Sequence, residues 1–256
     1  MHAEFCRRLR RRDPLIGTIV SLDSIAVVEI IAASGFDWLF VEAEHAPNGL
    51  AALERMLVAA RDTPCLVRLP NHEPTWIKRA LDLGAAGIIV PQVNSVGEAH
   101  AIAQAARFTP AGERGLGVCR ANGYGYASAE YVANANAATA VLVQAEHVDA
   151  VENASSIASV DGIDGVFIGP YDLSASMGVP GEITHPDVGA AIDTVRAAFT
   201  AVGKPVGYFG TDPADVKTRI ATGFSLVACD VDVLLLRAAA TALAADLRAT
   251  ERPPPV

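Results

Sequence analysis

From residue 15 onward, short runs of β-branched and other apolar residues alternate with longer stretches in which Ala and Leu recur among charged positions. That rhythm predicts parallel strands joined by crossover helices. Eight strands are predicted, at 15–22, 38–44, 65–70, 86–93, 138–146, 164–170, 204–210 and 224–230. Helices are predicted at 24–34, 50–61, 73–83, 96–107, 148–159, 186–202 and 213–222, with one more at 233–250 after the last strand. Gly35, Gly84, Gly203 and Gly223 follow four of these helices, where a left-handed residue commonly ends the last turn. Eight strand–helix units in a chain of this length fit an α/β fold of the (β/α)8 barrel type better than an open doubly wound sheet.

Two stretches break the rhythm. Residues 108–137 are rich in Gly, Ala and Asn without clear periodicity, and 171–184 insert a polar, Gly-containing segment before the sixth main helix. Long loops in a barrel enzyme usually lie over the active site, so both are expected there.

Length and composition change the picture little. At 256 residues and 51% hydrophobic content, the chain suits one large core and a single domain over 1–256. A short N-terminal helix carries Arg7, Arg8, Arg10, Arg11 and Arg12, read as a solvated face or as a specific anion or subunit contact. The Pro-rich end, Pro253–Pro255, is expected to be disordered. The net charge of -9 argues against nucleic acid and anionic membranes as partners and favours a small molecule. No signal-peptide pattern and no apolar run of membrane-spanning length is present. Cys6, Cys65, Cys119 and Cys229 show no paired spacing and read as buried free thiols suited to a reducing cytoplasm.

The chemistry is expected at the C-terminal ends of the strands, which share one rim in a closed barrel. There stand Glu42, Glu44 and His45, then Arg68, then Gln144 and Glu146, then Tyr171 and Asp172. Glu146 and Asp172 are hard oxygen donors suited to Mg²⁺ or Mn²⁺; separately, they read as a loop charge and a helix cap. His45 among carboxylates reads either as an acid/base group, its ring oriented by Glu42 or Glu44, or as a surface histidine. Arg68 needs an anion, supplied by a structural carboxylate such as Asp82 or Glu44 or by a substrate. His147, next to Glu146, reads as a helix-opening residue that faces away or as a third metal ligand, while His2, His72, His100 and His185 read as helix-start or surface residues. The only lysines, Lys78, Lys204 and Lys217, avoid the rim, so a Schiff base is not expected and carbonyl chemistry would fall to a metal. The loop Gly112–Gly117 reads as turn chemistry or a weak anion cradle.

Together these residues resemble the metal-dependent class II pyruvate aldolases, typified by 4-hydroxy-2-oxoheptanedioate aldolase and 2-keto-3-deoxy-sugar-acid aldolases. The carriers are the segment 36–48, Val67-Arg68, 80–85, 143–146 and 162–174, within a likeness that spans nearly the whole chain, from Gly17 to Arg248. The resemblance implies His45 as acid/base residue, Arg68 as stabiliser of developing charge and Asp82 as the acid that tunes the histidine. It implies Glu146 and Asp172 as ligands of a divalent ion, Mg²⁺, Mn²⁺ or Co²⁺. Gln144, Tyr171, Asp172 and Ser174 resemble substrate-binding positions. Glu42 stands where the family commonly has Asp, and Tyr171 where some members have a small residue. The implied reaction is reversible aldol cleavage of a 2-oxo acid, such as pyruvate or hydroxypyruvate, and an aldehyde. The implied assembly is a hexamer with exchanged C-terminal helices. The alternatives are a lyase acting on acyl-CoA or citrate-like substrates, for which only Arg114 and Arg120 offer basic contacts, and a barrel that binds a 2-oxo acid without turning it over.

Overall fold

The computed structural model describes residues 2–249; the Pro-rich end lies outside the described residues. The helix α1 (Ala3–Arg10) leads into β1 (Leu15–Val20), α2 (Ile25–Ala32), β2 (Trp38–Glu42), α3 (Leu50–Ala59), β3 (Cys65–Arg68), α4 (Pro74–Asp82), β4 (Gly87–Val90) and α5 (Val96–Ala106). A 3-10 turn (Arg120–Asn122) and α6 (Ser128–Ala138) precede β5 (Ala140–Ala145), α7 (Val148–Glu152), α8 (Ala154–Ala158) and β6 (Gly165–Ile168). The chain ends with α9 (Pro170–Ser176), α10 (Pro186–Ala201), β7 (Val206–Gly210), α11 (Pro213–Ala221), β8 (Leu226–Val231) and α12 (Asp232–Arg248). All eight strands pair in parallel and close into one barrel in chain order. The eight predicted strands and the barrel class are therefore borne out.

Local sequence sets the helix starts. Pro74, Pro186 and Pro213 occupy first helical positions, where a missing N–H costs nothing. Ser95 and Glu98 form a reciprocal capping box at the start of α5. The predicted helix 148–159 is instead two short helices, α7 and α8, meeting at Asn153.

Strand alternation divides the apolar residues into two layers. Trp38, Phe40, Leu66, Leu142 and Phe167 fill the barrel interior, while Leu39, Val41, Val67, Val143 and Val166 pack outward with the helices. The inner layer is stacked aromatics: Phe40 and Phe167 meet edge-on at 5.4 Å between centroids, and Trp38 lies 6.0 Å from Phe40. Glycine makes room for them. A Cβ at Gly17 would sit 2.6 Å from the Trp38 ring, and one at Gly207 would sit 2.3 Å from the Phe167 ring. Beneath this layer, α1 inserts Phe5, Cys6 and Leu9 into the interior cluster and closes the N-terminal end of the barrel. Arg8 and Arg10 are not a merely solvated face. They pair with Asp37 at 3.0 Å and Asp164 at 2.9 Å, pinning α1 to the barrel, whereas Arg7 and Arg11 pair at the surface with Glu4 and Asp13.

Two further expectations change, for residues 108–137 and for the cysteines, while the predicted C-terminal helix is present. Residues 108–137 do not cover the strands' C-terminal rim: they follow a helix and precede β5, which places them at the opposite end, and they contain the unpredicted α6. The α12 helix meets β1 and β8 at its start and then projects, with every residue from Leu235 to Ala249 exposed, Leu236 and Leu243 among them. All four cysteines are free, but only Cys6 and Cys65 are buried, and burial pushes both thiols up to about 12. Cys119 and Cys229 are partly exposed.

Gly207→Ala should overpack the inner layer against Phe167 and destabilise the fold by about 2 kcal/mol. The measurement is a lower urea midpoint at unchanged slope; an unchanged midpoint would show that the aromatic layer has slack.

Candidate functional site

The same alternation that fills the barrel carries polar groups into its upper mouth. Two residues beyond interior Phe40 comes Glu42; two beyond Leu66 comes Arg68; two beyond Leu142 comes Gln144. Glu42 and Arg68 are register partners on β2 and β3, so their side chains meet directly. Together with His45, Tyr171 and Asp172 they line a cleft of about 300 Å³ at the C-terminal end of the barrel.

Glu42 is 3% exposed and fully engaged. One carboxylate oxygen accepts from the backbone N–H of Glu44 at 2.6 Å and of His45 at 2.9 Å. The other accepts from Arg68 Nε at 2.7 Å, and Arg68 Nη2 closes on the same oxygen. Glu42 thus holds the histidine's backbone and not its ring. The ring's acidic neighbour is Glu44, at 3.8 Å from Nε2. The partner of Arg68 is likewise settled as Glu42, with Glu44 at 3.3 Å and the Phe40 ring beneath the guanidinium. Burial raises the Glu44 carboxyl above its usual range; Arg68 opposes that, while Glu42 and Asp172 add to it.

On the β5–β6 side, Glu146 is 2% exposed. Its Oε1 accepts from the Gln92 N–H at 2.8 Å, and its Oε2 accepts from Gln144 Nε2. Gln92 achieves this with a left-handed backbone (φ 53°), an uncommon conformation for a residue with a side chain. Burial, reinforced by the negative charges of Glu44 and Asp172, raises the Glu146 carboxyl to about 7, against the two hydrogen bonds that lower it. Asp172 stands exposed in the first turn of α9.

These groups fit a small, hard divalent cation. Gln144 Oε1 is buried without a hydrogen-bond partner. A Cβ at Gly169 would approach Glu146 Oε2 to 3.0 Å and Gln144 Nε2 to 3.1 Å, so glycine keeps the space beside the carboxylate open. Glu146, Asp172 and the Gln144 amide oxygen are oxygen donors, and they leave positions for water or a chelating substrate. Among the described residues no group of three or more His, Cys, Asp or Glu side chains converges as ligands, and the rim is unlike a closed zinc site.

Two predicted site residues lie elsewhere. Asp82 ends α4, at the strands' N-terminal side, where it pairs with buried Arg114 at 2.7 Å and is far from His45. Ser174 is fully buried, its hydroxyl donating to the Tyr171 carbonyl at 2.6 Å and accepting from the Gly181 N–H at 3.0 Å. It ties the turn after α9 and does not line the cleft. His147 caps α7 through its own ring, which accepts from the Asp149 N–H. Missed by sequence reading were Ser21, at the end of β1, and the apolar wall of Ile19, Phe209 and Val231. The inward parity of β1 could have revealed Ile19, but nothing in its side chain singles out Gln92, which acts through its backbone.

A family model described as HpcH/HpaI aldolase/citrate lyase matches residues 16–239. A 2-keto-3-deoxy-L-rhamnonate aldolase of Klebsiella pneumoniae is 40% identical over 235 residues, covering 90% of this chain and 88% of that protein. A hydroxypyruvate/pyruvate aldolase of Cupriavidus necator is 40% identical over 248 residues, covering 95% and 92%. A crystal structure of an HpcH/HpaI aldolase/citrate lyase family protein from Burkholderia cenocepacia superposes with a TM-score of 0.91 at 36% identity, covering 96% of this chain and all of that one.

With divalent ions removed, Glu146 should keep its proton up to about pH 7, against its ordinary value of 4.5. The folded state then binds more protons than the unfolded state across that window, so this group's contribution to stability falls as pH rises through it, by about 3 kcal/mol in all. Urea unfolding in chelator at pH 5 and at pH 7.5 should show this loss in the native protein and a smaller one in Glu146→Gln. Equal pH dependence in the two would refute the assignment.

Proposed function

We propose that this chain, which belongs to the HpcH/HpaI aldolase/citrate lyase family, is a divalent-metal-dependent aldolase that reversibly cleaves a 4-hydroxy-2-oxo acid to pyruvate or hydroxypyruvate and an aldehyde. The observation that carries this reading is that Asp172, Arg68 and His45 line one cleft, whose wall residue Gln144 is hydrogen-bonded to buried Glu146, a carboxyl that feels the charge of Asp172. No lysine offers a competing route: Lys204 donates to the Val160 carbonyl before β7, and Lys78 and Lys217 lie in α4 and α11.

Glu146 and Asp172, with the free Gln144 oxygen, would hold Mg²⁺ or Mn²⁺. When bound, such an ion polarises the 2-oxo carbonyl and stabilises negative charge on its oxygen as the C3–C4 bond breaks. Arg68 supplies a second, fixed positive charge to the same region. Its guanidinium is held by Glu42 and the Phe40 face, so it need not reorganise as charge develops. His45, at the open side of the cleft with Glu44 beside its ring, takes the proton from the 4-hydroxyl in cleavage and returns it in addition. The wall of Ile19, Phe209 and Val231 faces the remainder of the substrate and limits water there.

Against an acyl-CoA lyase, Arg114 is buried against Asp82 and Arg120 donates to the Leu83 carbonyl, so neither is available to a phosphate at the cleft. The apolar residues that α12 leaves exposed support assembly into a homo-oligomer, a hexamer by family resemblance. The free thiols suit a cytoplasmic setting. No helix among the described residues is long and apolar enough to cross a membrane.

The test is proton NMR of pyruvate and of hydroxypyruvate in D2O with metal-stripped protein, before and after adding Mg²⁺. Loss of the C3 proton signal should require the metal and should fall below detection in Glu146→Ala and Asp172→Ala. A folded, metal-loaded protein that exchanges neither substrate, or an active Glu146→Ala/Asp172→Ala double variant, would overturn the proposal.

A further inference from the structure

The β1–β2 edge of the cleft is held by residues that carry none of the chemistry above. Asn48, 4% exposed, donates both hydrogens of its amide nitrogen, one to the Ser21 carbonyl at 2.9 Å and one to the Glu42 carbonyl at 2.8 Å. The second bond closes residues 42–48 into a loop with His45 near its tip. On the far side of Ser21 stands Asp232, the first residue of α12 and 3% exposed. Its carboxylate accepts from the Ser21 N–H at 3.0 Å, the Ser21 hydroxyl at 2.7 Å and the Leu22 N–H at 2.9 Å. A continuous run of hydrogen bonds therefore leads from α12 through Ser21, just beyond β1, to the His45 loop, on the side of the barrel opposite β5 and Glu146.

The histidine's own ring is not what fixes it. Its side chain is 66% exposed, and its acidic neighbour Glu44, at 3.8 Å, lies beyond hydrogen-bond distance. The position of the imidazole over the cleft is set by its backbone, which Glu42 grips from within the loop and Asn48 grips across the loop's ends. Buried donors and acceptors matched in this way hold geometry firmly, because breaking one bond strands its partner away from water.

We infer that Asn48 and Asp232 are positioning residues that set the His45 loop, with Ser21 as the link between them. The inference rests on the proposed function for the role of His45. Neither residue touches the cation site, so their loss should displace the proton-transfer group and leave 2-oxo acid and metal binding in place. A misplacement of about 1 Å costs roughly 100-fold in rate.

Two variants and two readouts test it. In Asn48→Ala, kcat for aldol cleavage should fall by roughly 100-fold, while KM for the 2-oxo acid and Mn²⁺ affinity by calorimetry stay within about twofold. Asp232→Asn, which keeps shape and one acceptor, should show the same pattern with a smaller loss. Hydrogen–deuterium exchange, which needs no turnover, should rise in both variants for the amides of residues 43–47 and stay unchanged for 144–152. The inference is overturned if Asn48→Ala folds and keeps its kcat, if KM rises and Mn²⁺ affinity falls together with the loss of kcat, or if Asp232→Asn leaves exchange at 43–47 unaltered. Absence of any aldol turnover in the native protein would instead refute the proposed function, and the exchange measurement would still decide whether the relay exists.

Discussion

The structure depends on one geometric constraint: in a closed parallel barrel, every second residue of every strand must point inward. Below the rim this obliges the chain to supply Trp38, Phe40, Leu66, Leu142 and Phe167, with glycine where two rings would otherwise collide. At the rim the identical parity leaves no choice about where Glu42, Arg68 and Gln144 project. Core and site are thus consecutive layers of a single stack. A one-residue slip of β2 against β3 would bury Val41 toward the mouth and drive Glu42 into the helix layer, so core packing enforces the register of the chemistry.

Electrostatics at the rim follow from that layering. Glu42 and Asp172 line the mouth, Glu44 and Glu146 lie close enough to feel their charge, and among the described residues Arg68 is the one arginine lining the cleft. Arg68 is taken up by Glu42 and Glu44, which leaves Glu146 buried beside like charge and holding its proton unusually tightly. A removed proton must be replaced by another positive charge. A cation at the proposed β5–β6 site would supply that charge, while the β2–β3 side has already balanced its own account of charge through hydrogen bonds.

The fold was legible because its signals are periodic: apolar, β-branched runs alternate with Ala- and Leu-rich stretches along the chain, and glycine follows four of the helices. The rim carboxylates, Arg68 and His45 were legible because a strand end is a definite place in such a fold. What escaped has physical reasons. Residues 128–138 are Ala- and Asn-rich with no apolar stripe, so α6 left no periodic trace. The length of segment 108–137 carries no sign of which end of the barrel it occupies; that is set by its following α5 and leading into β5. Ser174 was carried by a motif whose hydroxyl turned out to serve the backbone. Asp82 belongs to the other end of the strands, a fact set by helix direction and invisible to a motif. The contact between Glu42 and the backbone of His45 is set by the turn after β2, since sequence adjacency suggests the ring as readily as the N–H.

The plug formed by α1 bears on traffic. With Phe5, Cys6 and Leu9 stopping the lower end and an aromatic floor above them, the cleft is a cul-de-sac with a single doorway. Whatever binds against the floor enters and leaves through the same mouth as anything bound nearer the entrance. A blind vessel of this shape gives traffic one route in both directions, without any moving part.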